Sequence, residues 1–131
     1  MLNYDLGRFY VWFLFVISVI TALARLGLPG QFALVMSAKL EDERKRRRQR
    51  FWGWVIILAS PAILLYGVVG HIRAWMWVAA AIGILNGGEQ VLDTAYPDRG
   101  SLVFLSRIFG AFHAIAAIAI WFFVLRYPAV R

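Results

Sequence analysis

The chain has 131 residues, 62% of them hydrophobic and 16% charged, and a mean hydropathy of +0.70. A soluble domain of this length has too little interior for so much apolar surface, which points to a lipid environment and a single domain. The net charge of +7 is gathered mainly between Arg44 and Arg50, without a base-reading face, and no cysteine is present; nucleic acid is excluded as a partner, and so are disulfides, thiolate nucleophiles and cysteine metal sites.

The pattern predicts an all-α, polytopic membrane protein with four crossings and one basic cytoplasmic or interfacial helix. The first apolar stretch, Phe9 to Ile20, precedes Ala22-Leu23-Ala24 and has the outline of a signal peptide. Its leading region is weakly charged, with Asp5 offsetting Arg8, so it is read as a retained membrane helix. Arg25 marks the boundary of this crossing, and Leu28-Pro29-Gly30 breaks the helix, placing it at about 8–27. A rival reading continues one kinked helix to Met36 and buries Arg25, at considerable cost.

Residues 31–50 change character. Apolar Phe32, Leu34, Val35 and Met36 give way to Glu41, Asp42 and Glu43, followed by the basic run. With no Gly or Pro in the way, a helix is expected to start at the membrane surface and end in water. Glu41 with Lys45 and Glu43 with Arg47 form favourable i,i+4 pairs.

The second crossing is expected at 51–70, kinked at Pro61, and the third at 74–93. The short link between them, containing His71, imposes an antiparallel hairpin. Residues 94–101 read as a turn-rich loop, and a fourth crossing occupies 102–126, starting as late as Arg107. The regions of Arg25, Lys39–Arg50 and Arg99–Arg107 hold ten Lys or Arg, against Arg8, Arg73, Arg126 and Arg131 on the other face. This imbalance puts the basic helix in the cytoplasm and both termini outside, the expected location being a bacterial inner membrane. Tyr10, Trp12, Trp75, Trp77, Trp121 and Tyr127 fall at the outer boundary, and Phe51, Trp52 and Trp54 at the inner one. Such aromatic belts agree with that topology.

Four features are candidates for function. Ala79, Gly83 and Gly87, and likewise Ser106, Gly110 and Ala114, are small-residue rows that let helices approach closely. The plainer expectation is that the third and fourth crossings pack on each other, and the sharper one is contact with another subunit. The polar end of the third crossing carries Asn86, Glu89, Gln90 and Asp93. Glu89 is expected ~6 Å inside the helix end, and His113, for a helix starting at Arg107, ~9 Å inside. Asn86, Glu89 and His113 therefore form a candidate transport or polar cluster, with a frayed helix end and a simple interhelical hydrogen bond as the plainer expectations. Arg44, Lys45, Arg46, Arg47, Arg48 and Arg50 determine topology and are expected to attract anionic lipid headgroups or an acidic partner.

No catalytic motif, phosphate loop or metal-ligand spacing is present. No cofactor is expected, and haem or quinone binding through His113 is the weakest reading. The leading expectation is a non-enzymatic subunit or interaction partner in a larger membrane assembly, working with other membrane subunits and lipid. The alternative is a small oligomeric transporter or channel.

Overall fold

A computed structural model describes residues 2–69 and 74–126, with the side chains of 8–62, 65 and 76–126. The described residues form five α-helices and no strand: α1 (Leu2–Gly27), α2 (Pro29–Lys39), α3 (Glu43–Val69), α4 (Ala74–Ala95) and α5 (Arg99–Ile120). A short π-helical stretch, Trp121–Leu125, prolongs α5 and closes with Arg126 N–H donating to the Trp121 carbonyl at 3.0 Å. The expectations for His71, Arg73, Arg131, Tyr127 and the Trp75 side chain lie outside the described residues.

Two helical stretches, Arg8–Gly27 and Arg99–Leu125, are long and apolar enough to cross a membrane. Among the described residues, two of the four predicted crossings meet this criterion. In α4 the polar half from Asn86 onward dilutes the apolar half, and the apolar part of α3 runs on into residues whose side chains are outside the described ones.

The chain breaks at Leu28, and Pro29 opens α2, where its missing N–H is harmless. A second break falls at Leu40–Asp42, where no Gly or Pro stands. The Asp42 carboxylate accepts from the Arg44 N–H at 2.9 Å, an N-cap that starts a new helix. The basic run is therefore not the end of a separate helix over 31–50. It forms the first turns of α3, continuous with the apolar residues through Val69. Glu43 and Arg47 pair at 3.1 Å, while Glu41 lies in the turn before the helix. At the start of α5 the Asp98 side chain accepts from the Ser101 N–H at 3.0 Å, and this bond holds its carboxyl below the usual aspartate range.

Two close pairings organise the helices. α3 and α4 run antiparallel with backbones nearly touching: a Cβ at Gly87 would stand 2.5 Å from Ile57 Cγ1 and 2.7 Å from the Gly53 carbonyl oxygen. At Gly83 it would meet the Ser60 hydroxyl. α1 and α5 form the second antiparallel pair. Trp12 and Trp121 meet edge to face at one end, and Gly110 sits against Arg25 and Leu26 at the other. Gly83 and Gly87 thus pack on α3 and Gly110 on α1, while Ala79 turns to the core shared with α1 and α5. Val11, Leu14, Ala79, Ile82, Ile120 and Val124 form the apolar core that joins α1, α4 and α5.

Candidate functional site: a buried charge cluster beside a cavity

The same three helices meet a second time through charge. Arg25 leaves α1 in its last turn, and α4 places Glu89 and Asp93 on one face by their i,i+4 spacing. The Arg25 guanidinium donates from Nη2 to Asp93 Oδ2 at 2.9 Å, and its Nε lies 3.7 Å from Glu89 Oε1. The same Glu89 oxygen lies 2.5 Å from His113 Nε2 of α5. These side chains are almost wholly out of solvent: Arg25 is 4% exposed, Asp93 1% and His113 0%.

Aromatic rings complete the cage. The Arg25 guanidinium carbon stands 4.4 Å from the centre of the Phe32 ring of α2 and 5.6 Å from that of Phe109. A planar, weakly hydrated cation tolerates such stacking better than an ammonium. Arg25 thereby ties together four elements, α1, α2, α4 and α5. Next to the cluster, Arg50 donates from Nε to Thr94 Oγ1 at 3.3 Å and from Nη2 to the Thr94 carbonyl at 3.2 Å, holding the start of α3 to the end of α4.

The cluster is tightly paired in charge but incompletely hydrogen-bonded. Arg25 Nη1, Asp93 Oδ1 and His113 Nδ1 are buried without a hydrogen bond, while Glu89 Oε1 and His113 Nε2 face each other. Each such atom costs about 1–3 kcal/mol, so an arrangement of this kind calls for a functional explanation.

Glu89 and Asp93 also form part of the wall of a cavity of about 770 Å³, together with Asn86, Gln90 and Arg25. It opens between α1–α2 on one side and α3–α4 on the other, and α5 contributes nothing to the wall. Of the three residues singled out from the sequence, Glu89 touches both His113 and the cavity, Asn86 is half-buried on the cavity wall, and His113 lies behind Glu89. The match in depth did not require α5 to start at Arg107. It starts at Arg99, and the two residues meet although α4 and α5 each pack chiefly on another helix.

Arg25 and Asp93 were not recognised as site residues from the sequence. Arg25 is a buried ion-pair partner, not a boundary marker at the surface, and the cost foreseen for burying it is met by Asp93 and Glu89. Of the small residues, Ala79, Gly87, Ser106 and Gly110 are buried, and Gly83 and Ala114 half-buried. In the basic run, Lys45 and Arg48 line the cavity, Arg47 pairs with Glu43, and Arg50 is tied to Thr94; Arg44 is exposed and Arg46 half-buried. Among the described residues no three His, Cys, Asp or Glu side chains converge as a metal site; the acids and His113 instead surround a guanidinium.

No family model matches this chain, and neither does any curated protein or solved structure. The class defined by fold and site is therefore a helical bundle with two apolar, membrane-length helices and a buried Arg–carboxylate–His cluster.

Proposed function

We propose that the chain is a small polytopic membrane protein that moves protons or ions through the Arg25–Asp93–Glu89–His113 cluster. One observation carries this reading: Glu89 stands between Arg25 and His113, and at the same time forms part of a cavity wall. Ionisable groups buried among apolar helices are expensive, and they are retained where a proton or an ion is handled.

Membrane placement is supported by the two long apolar helices, in which 28% and 33% of the apolar window is buried. A core helix of a soluble protein hides most of its surface. In this reading the apolar part of α3 and the whole of α4 provide two further crossings. The basic start of α3 faces the cytoplasm, both termini lie outside, and the membrane is a bacterial inner membrane.

Proteoliposomes enclosing a pH-sensitive dye test the proposal under an imposed pH gradient. The expected outcome is faster dissipation than in empty liposomes, reduced at least tenfold, ~1.4 kcal/mol in barrier terms, by Glu89→Gln and by His113→Asn. Wild-type liposomes as tight as empty ones overturn it. A second reading, a non-enzymatic subunit of a larger membrane assembly, is favoured by His113 being fully buried behind the cavity wall. There the cluster is a structural clamp, the liposomes are tight, and the chain purified in mild detergent brings its partner subunits with it.

A further inference from the structure

The cavity changes character along its length. On α3 the wall passes from Lys45 and Arg48 to Ile56, and on α1 from Arg25 back to Leu14. Each of these runs covers 11 residues, which is ~16 Å of helix. Lys39, from the last turn of α2, joins Lys45 and Arg48 at the basic end, while Leu14, Ile56 and Ile82 give the other end a mainly apolar wall beside Tyr10 and Asn86.

The charges at the two levels are not equivalent. The acids on the wall, Glu89 and Asp93, are engaged by Arg25 and His113. Among the described residues Glu43 is engaged by Arg47, and Lys39, Lys45 and Arg48 have no acidic partner. Three uncompensated cations, supplied by two helices, thus meet at one end of a trough whose other end is mainly apolar. Neither a free inorganic anion nor an acidic peptide makes use of the apolar half. A molecule with an anionic head and a hydrocarbon tail uses both.

We infer that this cavity binds one anionic phospholipid, with its phosphate among Lys39, Lys45 and Arg48 and an acyl chain running toward Leu14 and Ile82. The inference rests on the membrane placement proposed above, and it does not require proton movement through the cluster. It is narrower than general attraction of a basic segment to a charged membrane, because Arg44, Arg46 and Arg47 lie off the cavity wall and are predicted to be dispensable.

Native mass spectrometry of the delipidated full chain, titrated with phosphatidylglycerol or phosphatidylcholine, tests it. One saturable phosphatidylglycerol adduct is expected, at least tenfold tighter than the phosphatidylcholine adduct and not displaced by excess glycerol phosphate. Lys39→Gln/Lys45→Gln/Arg48→Gln is expected to weaken it at least tenfold, whereas Arg44→Gln/Arg46→Gln/Arg47→Gln leaves it within twofold. Ile82→Trp, at the apolar end, is expected to weaken it with the cations intact. Equal affinity for the two lipids, equal loss in the two triple variants, or displacement by glycerol phosphate overturns the inference. Circular dichroism of each variant shows whether it is folded, and the wild-type lipid comparison decides the matter even where a variant is not. Retention in the membrane pellet after an alkaline wash is scored separately, so failure of the membrane placement is distinguishable from failure of the lipid site.

Discussion

Arg25 has the most consequential environment of any residue in the chain. Its guanidinium faces two carboxylates and two aromatic rings, nearly out of reach of solvent. Removing one partner from a buried ion pair strands the other, so Arg25→Met is expected to destabilise the fold by about 3–5 kcal/mol. Adding Asp93→Leu removes the stranded carboxylate and is expected to restore most of that loss, leaving Glu89 with His113. Thermal unfolding of the two variants in detergent provides the measurement; additive losses in the double variant would show that the two side chains are not coupled. The sequence made Glu89, Asn86 and His113 visible because a polar residue in an apolar helix stands out singly. It did not make Arg25 visible as their partner, since it lies 68 residues from Asp93 and no spacing rule spans that distance. The available hint was Glu89 and Asp93 at i,i+4, two carboxylates on one helix face that need a cation.

At the scale of elements, the glycines of α4 are not equivalent, and their surroundings rank them. Gly87 is pressed against Gly53 and Ile57 of α3, whereas a Cβ at Gly88 would meet nothing within 4 Å. Gly87→Ala is therefore expected to push α3 and α4 apart at a cost of about 1–3 kcal/mol, the usual penalty for overpacking. Gly88→Ala is expected to be neutral or stabilising by up to about 1 kcal/mol, since alanine is the better helix former. Unfolding midpoints in one detergent compare the two; a reversed order would mean that α4 does not pack on α3 through this row. That the row is small was plain from the sequence, but which helix it faces was not, because helix order in space is fixed by tertiary contacts. The helix ends show the same division. Pro29 announces its break, while the break at Leu40–Asp42 depends on the short Asp42 cap, hidden in a run of good helix formers.

For the whole molecule two criteria give different numbers of crossings. The distribution of basic residues and the positions of the aromatics point to four, and length with apolarity, among the described residues, singles out Arg8–Gly27 and Arg99–Leu125. The two arrangements disagree about the α3–α4 hairpin. With four crossings its closed end reaches the outer surface; with two, everything between α1 and α5 stays on the inner side. The chain has no cysteine, so a single introduced thiol reports its own side. Trp77 is 55% exposed near the start of α4 and is suited to this purpose. Trp77→Cys is expected to react with a membrane-impermeant maleimide added outside intact cells, as Arg8→Cys does, while Arg44→Cys and Tyr96→Cys react only after the membrane is opened. If Trp77→Cys instead behaves like Arg44→Cys, the hairpin does not cross. Pairing across a hairpin on one side of the membrane would then place Arg25, Glu89 and Asp93 near the surface, and the physical reason for reading their cluster as an intramembrane proton site would disappear. The topology experiment therefore comes before the flux experiment: a charge cluster that is expensive in lipid is ordinary at an aqueous boundary.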